Sequence, residues 1–274
     1  MTITYGPFNS GDGANFYQDK WVKMSRQWLP SGVNAGELNE FEVYADSSGM
    51  QVKVKSGNAW LRGQYIESDA EVIKAIAAAD ATYGRIDWVI LRVDWVNMVC
   101  EIDVLTGTPS ASPVSPTLTQ NTSLWEIRIG IVTVDAAVTT IAADKVVKAR
   151  KWSNLVTIPI IIGTGISVIP TGVAGYVPID MDMVIKSWFL VADVSGSIVI
   201  DLWNDTYGNF PPLVGDTIVG GGGTKPALVS AQKNFSAPTG WALTTLEGGS
   251  YLGINVDSAT TVKQVTLHLV VYRP

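Results

Sequence analysis

Apolar residues recur at two periods along this chain, and the change between them separates a short leading segment from everything that follows. Between Asn15 and Leu29, Phe16, Trp21, Met24 and Trp28 stand at spacings that share one helical face, and Pro30 supplies the stop. Such an aromatic stripe covers the helix's own core or docks a neighbouring subunit. From Glu40 the period is two. Phe41, Val43 and Ala45 alternate with Glu42 and Tyr44, Asp46 to Gly49 is turn chemistry, and Val52 and Val54 alternate with Lys53 and Lys55, which predicts a hairpin. Ala59 to Ile66 continues as a strand, with Gly63 read as a bulge or a close backbone approach.

Asp69 to Asp80 supports two readings. Asp69 as a cap and Ala75, Ala77, Ala78 and Ala79 as helix formers favour a helix, whereas both flanks favour strand. Arg85 to Val99 is dominated by β-branched and aromatic residues on both faces, and with the return from Val99 to Leu105 it reads as a central hairpin. Thr106 to Pro116 holds three prolines and three serines, which cannot donate a full ladder, so it is a connection. Trp125, Ile127, Ile129 and Ile131 then point one way while Glu126, Arg128 and Gly130 point the other, as in a half-buried strand. Ile141 to Arg150 has a helix-compatible pattern, and the first domain closes near Trp152.

The rest is strand-like throughout. Ile158 to Ile162, Ile166 to Ile169, Met183 to Val191, Ser197 to Trp203, Trp241 to Thr245, Tyr251 to Val256 and Val262 to Tyr272 are strands separated by Gly, Pro, Asn or Asp. Many short strands with such punctuation predict a sandwich or jelly roll. The fold class is therefore mainly β: an α+β domain of small antiparallel sheets over residues 1–152, then a β-sandwich or jelly-roll domain over residues 153–274.

Hydrophobic residues make up 47% and charged residues only 16%, which rules against disorder and leaves a surface suited to cover by other chains. The formal net charge of -6 opposes a phosphate backbone, and no run of Lys and Arg offsets it, so nucleic acid is not an expected partner. Cys100 has no second cysteine to pair with and is read as a buried thiol; one His and one Cys make no zinc set, and no cofactor is implied. The N-terminus lacks a basic region followed by an apolar one, so the chain reads as made in the cytoplasm without a signal peptide. Pro159 and Gly163 keep the most apolar run far below the roughly 20 residues of a membrane helix, so membrane insertion is not expected.

Reaction chemistry is sparse. His268 stands between Leu267 and Leu269 with no sequence-evident nucleophile or carboxylate partner, so no catalytic residue is assigned. Glu101/Asp103, Asp180/Asp182 and Asp201/Asp205 have spacings that a glycosidase pair tolerates, although solvated strand faces produce the same spacings. Asp180 and Asp182 are only two of the roughly six or more oxygens a calcium site needs, and no metal site is assigned. Gly220 to Gly223 lacks the Lys-Ser/Thr ending of a phosphate-binding loop. Trp203 with Asn204, Asp205 and Tyr207 is the one constellation suited to a ligand: a ring to stack on a sugar and polar groups for its hydroxyls. Alternation places Trp203 on the Asp201 face, opposite Ile198, Ile200 and Leu202 and away from the core; the alternative is an aromatic buried between subunits.

The succession Gly57-Asn-Ala-Trp-Leu-Arg-Gly63, Arg85-Ile-Asp-Trp-Val-Ile-Leu-Arg92, Gly107 with its proline-rich continuation to Pro116, Leu124-Trp-Glu-Ile-Arg-Ile-Gly130 and Ala149-Arg150 resembles the N-terminal domain of tailed-phage (siphophage-type) baseplate and receptor-binding proteins. The likeness spans about residues 35 to 152, and the Ala-rich stretch from Asp69 to Asp80 departs from it. Ser195 to Trp203, Pro211 to Ile218, Gly240-Trp241 and Val265 to Val271 are similar, more loosely, to the β-sandwich tips that follow this module. The resemblance implies a virion protein: a homotrimer, fastened to other tail or baseplate proteins by its first domain and contacting host-surface saccharide with its second, without catalysis. Its rivals are a purely structural tail subunit and a glycan-cleaving spike.

Overall fold

The computed structural model describes residues 18–274, so Asn15 and Phe16 of the expected aromatic stripe lie outside the described residues. Two compact units meet at the Asn154–Leu155 bond, and each has its own core. The fold is mainly β, as the alternation predicts.

The first unit opens with helix α1 (Gln18–Ser25). Its buried positions are Val22 and Ser25, while Trp21 and Trp28 are exposed, so the aromatic stripe does not cover the core. Strands β1 (Gly32–Val33), β2 (Val43–Tyr44), β3 (Gln51–Val54), β4 (Gly57–Leu61), β5 (Gln64–Ser68) and β6 (Val72–Ala75) follow. β2 and β3 form the expected hairpin, with Val43 opposite Val54. Gly63 is neither in a strand nor in a bulge: with Arg62 it makes the two-residue turn between β4 and β5, both at positive φ. A side chain at Gly63 would also meet the Val22 carbonyl at 2.4 Å, so turn and helix contact both require glycine there.

The Asp69 to Asp80 segment holds no helix: Val72–Ala75 is strand and the rest is irregular. β6 pairs antiparallel with β3, and the carbonyls of Ala77 and Ala78 that a helix would use internally accept instead from the Arg85 guanidinium at 2.5 and 2.8 Å. Edge pairing and a buried cation outweigh alanine's helix preference, which is worth only about 0.7 kcal/mol per residue over ordinary residues.

β7 (Arg85–Asp94), β8 (Val99–Leu105), β9 (Leu124–Val134) and β10 (Val146–Lys148) complete the unit as a sheet in the order β10-β9-β7-β8. The stretch expected to be helical after Ile141 is a short turn followed by β10, where Val146 and Val147 pair with β9. In β9 the alternation is interrupted. Val89 faces Gly130 and Ile90 faces Arg128, so Ile129 is an extra residue and the buried set changes phase from Ile127 and Ile129 to Val132 and Val134. Ile131 is thereby only half-buried, contrary to a single alternation.

Arg85 and Asp87 lie at 3% and 0% side-chain exposure, with Nε 3.0 Å from the carboxylate. The Gly107 N–H donates to the same carboxylate at 2.8 Å and so pins the start of the proline-rich connection. A side chain at Gly107 would strike the Ile86 carbonyl at 2.1 Å. Arg150 donates to the Glu40 carbonyl at 3.0 Å. Asp87, Arg85 and Arg150 thus hold loops onto this unit's core.

The second unit contains β11 (Leu155–Gly163), β12 (Gly172–Ile179), β13 (Met183–Thr206), β14 (Ala227–Ser236), β15 (Thr245–Leu246), β16 (Ser250–Thr260) and β17 (Gln264–Tyr272). Met183 to Val191 and Ser197 to Trp203, expected as separate strands, belong to one strand of 24 residues. β13 pairs along one edge first with β17 and then with β16, while β14 borders both halves. The sheet curls, and its two parts close on a shared core: Ile160, Ile185 and Leu190 join Ile200, Leu202 and Ile254. This is consistent with a β-sandwich. Ile166 to Ile169 is loop, anchored by Ile169 N–H to the Val262 carbonyl at 3.0 Å, and of Trp241 to Thr245 only Thr245 is paired.

Candidate functional site

The end of β13 gathers the residues best suited to a ligand. Its outer face carries Asp201, Trp203 and Asp205, and after Thr206 the chain turns back so that Thr217 bridges to Trp203 and Ile218 N–H donates to the Leu202 carbonyl at 2.9 Å. This returning segment covers the outer face. Trp203 is left 8% exposed and Asp201 2%, so the indole does not offer a stacking surface. The alternation placed Trp203 off the inner core correctly, but the outer face is itself covered.

Asp201 accepts from the Thr217 hydroxyl at 2.7 Å and from Lys225 Nζ at 2.9 Å, and Lys225 also reaches Asp257 at 2.7 Å. Burial acts to raise the Asp201 pKa, but the Thr217 and Lys225 hydrogen bonds outweigh it and hold the carboxyl below its usual range. Asn204 donates to Ser250 Oγ at 2.9 Å and to the Tyr251 carbonyl at 3.1 Å. Asp205 accepts from Thr206 N–H at 2.6 Å and Asn209 Nδ2 at 3.1 Å, and these bonds lower its pKa. Of the four residues proposed from sequence, only Tyr207 presents an open ring, at 74% exposure.

The structure supplies other rings from distant segments. Phe210 meets Tyr176 at 4.9 Å and Tyr251 at 5.0 Å, both edge to face, and Tyr251 lies 6.1 Å from Tyr207. Tyr176, Tyr207 and Phe210 are exposed and Tyr251 is half-buried. Edge-to-face pairs of this kind hold rings in place without hiding them. Asn204, Asp205 and Thr206 at the end of β13 line, with Leu243, Thr245, Glu247 and Ser250, a groove of about 230 Å³ whose wall includes none of these rings. Fixed, exposed ring surfaces of this kind can stack on a sugar face. Tyr207 carried the only sequence signal for this cluster, because Tyr176 and Tyr251 reach it through strand pairing.

The other candidates fall elsewhere. The His268 ring stacks on Phe189 at 4.2 Å, nearly parallel. Glu101 and Asp103 both face Arg92, at 3.4 and 2.5 Å, and Asp182 accepts from Gly248 N–H at 2.8 Å. Cys100 is half-buried, and burial raises its thiol pKa. Among the described residues no group of His, Cys, Asp or Glu is arranged to hold a metal ion, and no helix is long and apolar enough to cross a membrane.

No family model and no curated protein matches the chain. Three similar solved structures come from infectious bursal disease virus. The Gx strain structure is 12% identical, covering 89% of this chain and 76% of that one at a TM-score of 0.18. The Gt strain structure is 13% identical with the same coverage and a TM-score of 0.14. The VP2 subviral particle is 12% identical, again covering 89% and 76%, at 0.14. Overlap this low assigns neither a fold family nor a role.

Proposed function

We propose that this chain is a tail or baseplate subunit of a tailed phage, a homotrimer that fastens to other virion proteins through its first unit and holds host-surface saccharide with its second. The observation that carries the reading is the cluster of Tyr176, Tyr207, Phe210 and Tyr251, the first three of them exposed. The phage-like succession over residues 35 to 152 supports the attachment half. Three shallow sites on one support gain avidity that a single site lacks. The reading is adhesion rather than cleavage: the buried Asp201 carboxylate is bonded to Thr217 and Lys225, and Asp205 to Thr206 and Asn209, so this pair is committed to its own loops.

Binding to purified envelope polysaccharide from a panel of bacteria tests this. Tyr207→Ala and Phe210→Ala are each expected to weaken binding about tenfold, the loss typical of an aromatic anchor, with the far-ultraviolet spectrum unchanged. Polysaccharide bound equally by wild type and both variants would refute the site, and shortened chains after incubation would make the protein a cleaving enzyme instead.

A further inference from the structure

Three arginines of the first unit are matched. Arg85 has Asp87, Arg92 has Glu126 and Asp103, and Arg150 has Glu40. Arg128 and Arg62 differ. Among the described residues the Arg128 side chain forms no hydrogen bond or ion pair; its guanidinium lies 4.7 Å from the Trp88 ring centre, and its Nε is buried without an acceptor. The Arg62 guanidinium lies 4.1 Å over the Trp125 ring, with no carboxylate partner among the described residues.

Of these groups, Arg128 and the Trp125 ring under Arg62 line one cavity. Arg128, Lys151 and Trp125 line a space of about 430 Å³ together with Ser31 and Gln120, and no carboxylate is in its wall. Lys151 likewise has no acid partner among the described residues. The residues come from four segments: Ser31 after the helix, Gln120 at the end of the proline-rich connection, Trp125 and Arg128 on β9, and Lys151 just after β10. That is why no cationic run is visible in the sequence, whose net charge is -6. A guanidinium without a counterion favours an anion, and with Nε buried the two terminal Nη groups are the donors that can meet a carboxylate bidentately.

We propose that this cavity seats a carboxylate side chain from an acidic segment of a neighbouring virion protein, held by Arg128 and Lys151. The proposal rests on the attachment reading of the first unit and names the chemistry of that contact. The test uses the full chain, a fluorescein-labelled peptide of alternating glutamate and glycine, and the same peptide with glutamine for glutamate. The glutamate peptide is expected to bind at low salt and the glutamine peptide not to. Arg128→Gln should weaken binding by at least about tenfold, and Arg128→Lys by less, because it keeps the charge and loses the fork. Lys151 is exposed, so Lys151→Gln carries the test if Arg128→Gln does not fold.

Failure of the wild type to bind the glutamate peptide, equal binding of both peptides, variants that bind like wild type, or complete displacement by equimolar inorganic phosphate would each overturn the proposal. Co-sedimentation with particles lacking this chain separates its failure from that of the attachment reading. If Lys151→Gln and Arg128→Lys join particles as wild type does, the cavity proposal fails and attachment stands. If wild type binds the peptide but never joins particles, attachment fails and the cavity stands.

Discussion

Replacing Asp87 with alanine is expected to cost the first unit about 3–5 kcal/mol, the loss that follows when one member of a buried ion pair is removed. Arg85 would stay in place at 3% exposure with its Nε charge unanswered, and the Gly107 N–H would lose its acceptor at the start of the proline-rich connection. The effect joins two costs, a stranded cation and a freed loop. Since a domain's whole stability is about 5–15 kcal/mol, the variant should unfold at much lower urea, read by hydrogen exchange at β7 and β9 amides. Arg85→Met with Asp87→Leu removes the charge penalty from both sides and should recover much of the loss. A midpoint for Asp87→Ala within about 0.5 kcal/mol of wild type, the range of ordinary surface changes, would mean the pair does not hold this unit.

Trp188→Ala should have a comparable effect in the second unit. Trp188 is 1% exposed in β13, pairs across to Leu269, and is the largest fully buried side chain of this core. Removing a buried Trp typically costs about 3–5 kcal/mol through lost apolar burial and the cavity left behind. Trp188→Phe leaves most of the volume filled and should cost less. Because the two units bury separate cores, exchange should accelerate at β13 and β17 amides and not at β7 amides. Uniform acceleration along the chain would show instead that the cores unfold as one.

Much of this fold is legible wherever one strand face is buried and the other wet. β3 and β17 alternate in sequence as they do in burial, and the turn chemistry at Asp46 to Gly49 marks a true hairpin. β12 and β14 escaped because their residues are largely exposed and mixed with Gly, Ser, Asn and Lys, so neither shows a clean period of two. β6 was ambiguous because what decides it is Arg85, a residue ten positions beyond Ala75, whose guanidinium claims the Ala77 and Ala78 carbonyls. The extra residue at Ile129 changes the face of β9 without any glycine or proline to announce it.

The candidate site was legible only in part, for the same physical reason. Local alternation shows which face of β13 bears Trp203, but whether that face meets solvent depends on the returning segment through Thr217. Tyr207 lies beside the site in sequence, whereas Tyr176 and Tyr251 arrive through the pairing of β12 and β16, in which Pro178 faces Tyr251. The cationic cavity is still more dispersed, its wall drawn from four segments that no spacing connects.

A cryo-electron density map of the particle in which this chain is proposed to sit tests the central claim most directly. The account predicts three copies around a tail or baseplate axis, with residues 35 to 152 against other virion proteins and the Tyr176, Tyr207, Phe210 and Tyr251 end of each copy facing outward. A map that places the chain in the capsid shell, or buries those four rings against another virion subunit, would contradict it.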